Sequence, residues 1–316
     1  MIAAFIALVQ TPIALKRQFE PGLKSAYKVE ANLHVERRMI GLVTFLPQDV
    51  TISYGFTTLV ESVQAGVGKI RYERPTVSVY EGDWNDQPAH TDVEKVHQVE
   101  NISLSEINEV VDHKSLGKKQ EDGARALARL KAGLNRQADS IITPFIEDME
   151  RNSLFIGPVD SSMDFAPRLD FQPVKVGDTW KRTVGFQPQK LKGKKGKALV
   201  QRIDLTYTYA GTGTLGGKPT VKVQAALDYT ADLGDYLNGV VGASSDVTEI
   251  STIPVTLHCK LEFDLDPKTL QTLRGTCNSE GGFSIRVTKQ LEPVVEEKLK
   301  GETVMTLVGR RQTKPQ

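Results

Sequence analysis

In the stretch CKLEFDLDPKTLQTLRGTC, residues 259–277, oily and polar side chains take turns. Successive strand side chains point to opposite faces. Cys259, Leu261, Phe263 and Leu265 therefore share one face, and Lys260, Glu262 and Asp264 the other. A turn at Pro267-Lys268-Thr269 folds the stretch back on itself, with proline supplying a fixed φ. Folded about Lys268, Asp266 faces Leu270, Phe263 faces Leu273, Glu262 faces Arg274, and Cys259 faces Cys277. Leu273 and Cys277 then join the apolar face, and Thr272, Arg274 and Thr276 the polar one. A half-buried antiparallel hairpin requires that division.

Cys259 and Cys277 are the only cysteines. Directly opposed strand residues sit within disulfide range. The expectation is a structural disulfide between them, and with it an oxidising compartment. The other reading is two buried thiols packed as small hydrophobes. One more residue in the loop would slip the register and part the sulfurs. No second Cys or His pair nearby has zinc-site spacing.

The same rhythm recurs along the chain. Strands are predicted over 26–37, 50–65 and 69–80, followed by a turn around Asn108, and then over 179–186, 199–209, 220–229, 255–265, 270–277, 283–289 and 303–308. These segments are rich in Val, Thr, Tyr and Ile and are punctuated by Gly, Pro and Asp. Between the two groups the period changes. Leu127, Leu130, Leu134, Ala138, Ile141, Phe145 and Met149 step by three and four, an apolar stripe on a helix from about Glu121 to Arg151. Glu121 and Asp122 suit its N-terminal dipole, and Pro144 kinks or splits it.

Matching fragments suggest a duplicated unit. Phe19-Glu-Pro21 followed by Tyr27-Lys28 parallels Phe171-Gln-Pro173 followed by Trp180-Lys181. The Pro75–Val79 segment parallels Pro219–Val223. The expected class is α+β, mostly β: two similar curved antiparallel sheets with a long, kinked helix between the halves. Its parts are a leader remnant (1–14), a first β unit (15–118), a connecting amphipathic helix (119–152) and a second β unit (153–316). Leu127, Leu130, Leu134, Ile141 and Phe145 are the candidate lining of an apolar cleft between helix and sheet.

Forty basic against 39 acidic residues argue against nucleic acid as the main partner. The apolar run of residues 2–9 has the length of a signal-peptide core and is too short to span a bilayer; the other reading is a buried first strand. An integral membrane protein is not expected.

Few motifs point to chemistry. GTGTLG, residues 211–216, matches a dinucleotide-loop pattern, but the strand-like KPTVKVQ follows where a helix is needed, so the glycines read as a hairpin turn. Lys190, Lys192, Lys194, Lys195 and Lys197 form a basic run for anionic surfaces, or a solvated loop. Asp83, Asp86, His90, Asp92, Glu94 and His97 crowd one segment without metal-site spacing. His34, His113 and His258 lack an evident nucleophile. No catalytic, cofactor or metal residue is assigned.

The segment PRLDFQPVKVGDTWKR, residues 167–182, resembles a signature of bacterial exported proteins known only as a domain of unknown function. Gly22 with Tyr27-Lys28, and Phe263-Asp264 with Leu270, resemble further elements of that family. The resemblance implies a periplasmic or secreted location and a duplicated β-rich fold, and no activity. From the residues themselves, Gly177-Asp178 makes a turn and Trp180 a packing anchor. The functional expectation is a non-enzymatic extracytoplasmic protein, without cofactor, that binds a hydrophobic small molecule or an envelope protein. The alternatives are a structural or assembly module of the envelope and, more remotely, a hydrolase built on carboxylates.

Overall fold

The structure, a computed structural model, describes residues 11–83, 88–115, 146, 149, 166–186, 201–235, 250–288 and 291–313. The strands of the first half are β1 (Leu23–Met39), β2 (Leu46–Gln64), β3 (Val67–Glu81), β4 (His90–Leu104) and β5 (Val110–Ser115). Those of the second half are β6 (Thr179–Phe186), β7 (Gln201–Leu215), β8 (Lys218–Asp232), β9 (Ile250–Thr252), β10 (Pro254–Leu265), β11 (Thr272–Val287) and β12 (Val295–Gln312).

All belong to one antiparallel sheet, in the order β5-β4-β3-β2-β1-β12-β11-β10-β8-β7-β6, with β9 paired to β11. This corrects the expected two sheets. The first and last strands carry the same alternation, and each would leave a long unpaired edge alone. Instead they pair from Leu23↔Gln312 to Met39↔Val295 and weld the halves into one surface. The α+β expectation is corrected as well. Among the described residues strand predominates, and no long helix covers the sheet. Most of the expected helix, residues 119–145 with its stripe from Leu127 to Phe145, lies outside the described residues. Ile146 and Met149 are helical and buried in the same core as the strands.

The sheet is curled. Eleven strands in line leave ten gaps, which at ~4.8 Å each would hold β5 and β6 ~48 Å apart if flat. Yet Arg182 on β6 lies 3.5 Å from Glu109, which immediately precedes β5. The backbone N–H of Leu169, ahead of β6, donates to the Ile107 carbonyl at 3.0 Å. The segments that lead into both edge strands therefore meet at this end.

A strap made of the residues before β1 ties this end together. Ile13 bridges Val174, the Arg17 N–H donates to the Glu106 carbonyl at 2.7 Å, and the Gln18 N–H to the Thr269 carbonyl at 2.9 Å. The strap thus joins turns from both halves. Leu15 and Arg17 of the strap are themselves buried. The Phe19 ring packs so closely on Gly68 that a Cβ there would collide with it.

Local turn chemistry explains the hairpins. β7 and β8 are joined at Gly216-Gly217, both with positive φ, the conformation a tight hairpin demands. The GTGTLG glycines therefore belong to a strand end and its turn, as expected. Gly177 also has positive φ, Asp178 Oδ2 accepts from the Lys175 N–H at 2.8 Å, and Trp180, the second residue of β6, is buried against Tyr207.

Candidate functional site

Each strand divides its side chains between two faces. On β1, Val29, Ala31, Leu33 and Val35 point inward and are buried, while Lys28, Glu30, Asn32 and His34 are exposed. On β10, Val255, Leu257, Cys259, Leu261 and Phe263 are buried and His258, Lys260 and Glu262 exposed. The inward face is an apolar lining that runs across both halves of the sheet. The outward face is charged. Each charged side chain facing lipid at mid-bilayer would cost ~2–4 kcal/mol, so this arrangement excludes a barrel with its outer face in hydrocarbon. No helix among the described residues is long and apolar enough to cross a membrane.

Among the described residues, buried polar groups interrupt the lining at several places, and three of these hold charged or multiply hydrogen-bonded side chains. The first is the strapped end. Arg17 Nη1 donates to Asn108 Oδ1 at 3.1 Å, and Asn108 Nδ2 to the Pro167 carbonyl at 2.8 Å. Gln271 Nε2 donates to Ser25 Oγ at 2.8 Å and to the Tyr27 hydroxyl at 2.7 Å. Trp180 Nε1 donates to the Arg168 carbonyl at 2.7 Å, and burial pushes the Tyr207 phenol beside it up. These contacts tie the segments meeting there into a stopper.

The second is a niche on β2–β4. Arg74, on β3, is 9% exposed, and its guanidinium stands 4.8 Å above the Tyr54 ring. Its Nε is buried without a hydrogen-bond partner. Burial opposes the Arg74 charge, but Tyr72, Tyr54 and Glu100 outweigh it and hold its pKa above the ordinary guanidinium value. Tyr27, Phe56 and Tyr72 form a ladder beside it, with centroids 4.8 and 5.0 Å apart. The strands are irregular at this level. The β2–β3 register shifts between Ser53 and Thr57, the β3–β4 register between Arg74 and Thr76, and His97 on β4 takes φ 41°.

The third lies at the opposite end of the strands, where Arg37 pairs with the buried Glu297 directly across β1 and β12. Burial pushes the Glu297 carboxyl up, and Arg37 pulls part of that shift back. Glu297 Oε2 has no hydrogen-bond partner.

The cysteines are free and buried, which corrects the expected disulfide. Cys277 is opposite Leu261, and Cys259 is opposite Ser279. Two local features account for the slip. The hairpin closes at Asp266 and Gln271 with Leu270 at φ 53°, and a bulge follows between Asp264 and Leu265. Together they move the register by two, which keeps both thiols on the inner face but makes them diagonal neighbours. Diagonal pairs lie ~7–8 Å apart, at or beyond disulfide reach. The Cys277 thiol first, and burial second, push the Cys259 thiol far above its ordinary range.

Other sequence candidates are dispersed. Lys190, Lys192, Lys194, Lys195 and Lys197 lie outside the described residues, as do Leu127, Leu130, Leu134, Ile141, Phe145 and Asp86. His90, Asp92, Glu94 and His97 lie along β4, and among the described residues no cluster of His, Cys, Asp and Glu is set to hold a metal. His34 meets Asp49, and His258 meets Asp228, each at 2.7 Å across neighbouring strands on the exposed face. Sequence reasoning missed Arg74. The available signal was parity, because Arg74 shares a face with Ile70 and Tyr72.

No protein-family model matches this chain, and no curated protein does. Among solved structures, one of lipid–protein interactions in lipovitellin matches with a TM-score of 0.46 at 9% identity. It covers 94% of this chain, which spans 26% of lipovitellin. A DUF1329 family protein from Desulfovibrio piger matches with a TM-score of 0.19 at 8% identity, over 93% of this chain and 88% of that one. A putative outer membrane lipoprotein-sorting protein domain from Vibrio parahaemolyticus matches with 0.18 at 7%, over 92% and 87%. Likeness at this level establishes neither a shared fold nor a shared activity.

Proposed function

We propose that this protein is a non-enzymatic binding protein that holds an apolar ligand inside its curled sheet. One observation carries the reading: a charged outer face surrounds a continuous apolar inner face on a curled sheet of eleven strands in line. Eight strands make a barrel whose side chains fill it or leave room for one small ligand. At the common tilt, eleven strands curled into a round cup would be about 22 Å across. The inward side chains of facing sheets interlock at ~10 Å separation. Ile146 and Met149 of the chain itself take part of the remaining space. The rest suits a flexible apolar molecule, with the strap as the floor of the cup.

An extracytoplasmic location belongs to the same proposal. It is supported by the apolar run of residues 2–9 and by the resemblance to exported proteins. The free thiols no longer speak for it.

Native mass spectrometry of protein gently isolated from its own cells tests the reading. An adduct that solvent extraction removes and added lipid restores is the expected result. Bare protein that takes up no lipid refutes it. Fractionation of those cells tests the location.

A further inference from the structure

The niche around Arg74 narrows the ligand to a chemical class, an inference that rests on the apolar-interior reading above. We infer that Arg74 is the head-group anchor of that interior and takes the carboxylate of a single-chain fatty acid.

The argument starts from what a buried arginine ordinarily has. Guanidinium groups taken out of water pair with carboxylates or satisfy all their donors. Arg74 is 9% exposed, yet its Nε is without a partner and the described residues provide it with no ion pair. Glu100 acts on it through space, while Glu100 Oε1 accepts from Gln98 Nε2 at 2.5 Å. The Tyr54 side chain engages the guanidinium from one side, while Nε has no hydrogen-bond partner. Nε with an adjacent Nη is the side of the fork that meets a carboxylate with two parallel hydrogen bonds.

The backbone points the same way. Three neighbouring strands lose their register or take a positive φ at this level. Such irregularities cluster where a side chain must be re-aimed. Pro75 follows Arg74 at the β3 shift, and Tyr54 lies in the stretch of β2 that is unpaired with β3. Ile70, Val77, Val79 and Ile102, all buried, are the apolar side chains on the same face of β3 and β4, against which an acyl chain would pack.

The test is calorimetric titration of the delipidated full chain with oleate and with oleyl alcohol. The wild type should prefer oleate, and Arg74→Met should weaken oleate about tenfold to a hundredfold, as loss of charge-assisted hydrogen bonds does. Oleyl alcohol should stay within about twofold, because apolar burial is unchanged, and this also reports a folded variant. Arg74→Lys keeps the charge without the fork and should lose oleate affinity by about tenfold, deciding the matter if Arg74→Met does not fold. Unchanged oleate affinity in both variants, or parallel loss of both ligands in a folded variant, overturns the anchor. Wild type that binds the alcohol but not oleate overturns the anchor alone. Wild type that binds neither overturns the apolar-interior reading with it.

Discussion

Removing Arg37 should produce a stability defect that acid repairs. Glu297 is 0% exposed at its side chain, and Arg37, 16% exposed, is its cationic partner. In Arg37→Ala the carboxylate loses that partner. It either stays charged, at the ~3–5 kcal/mol typical of a broken buried pair, or folds protonated. Protonation at pH 7 costs about 3.7 kcal/mol, from ~1.36 kcal/mol per pH unit above an ordinary Glu pKa of ~4.3. That route caps the electrostatic penalty. At pH 5 the same route costs only about 1 kcal/mol, so at most about 2.7 kcal/mol of the defect should return, less whatever the already raised Glu297 of the wild type regains. The sign follows from linkage. A carboxyl whose folded pKa is raised contributes stability that is complete below its unfolded pKa and is lost as pH rises through the folded one. Loss of Arg37 raises the folded pKa further and extends that loss upward. Urea unfolding of variant and wild type at pH 7 and pH 5, followed by tryptophan fluorescence, measures the difference and cancels carboxylates common to both. A defect of the same size at both pH values would show that Glu297 does not depend on Arg37 for its charge.

Asp266 behaves oppositely. Burial would raise its pKa, but the Thr269 and Lys268 amides and Arg310 outweigh it and hold it below the ordinary range. Its contribution is present above the unfolded pKa and fades as pH falls through the folded one, so Asp266→Asn should cost about 1 kcal/mol at pH 7 and flatten the acid limb of the stability curve. Gly281→Ala should lose at least ~2 kcal/mol in the same denaturation assay, because its Cβ would run into the Thr256 carbonyl oxygen. Denatured but unreduced protein should take two maleimides, one at each cysteine, and the native protein should react slowly. Failure to label without reductant would mean that the thiols are bonded.

The alternation carried most of the strands, since one buried face imposes a period of two wherever it occurs. β6 was placed over its whole length, and Trp180 was correctly read as packing. β4 was hidden. Its inward positions include Asp92 and Glu94, opposite Val79 and Val77, so burial and polarity disagree where the eye looks for a pattern. The β10–β11 register failed because loop closure and a bulge each add a residue, and neither has a marker in the local sequence. The joining of the halves was invisible for another reason. The pairing of Leu33 with Gly301 is a contact between chain ends, set by which edges remain unpaired. Arg74 was overlooked because a lone arginine in a strand ordinarily faces water, and only the fold shows what lies beneath it.

Photolabelling offers the sharpest look inside the cup. A diazirine-bearing fatty alcohol, bound to the native protein and irradiated, would mark whatever its chain touches. Labels on inward positions such as Ile70, Leu205, Leu227 and Leu261 are expected, with their outward neighbours unmarked. Labels confined to outward positions, or spread evenly over both faces, would contradict a ligand held within the sheet.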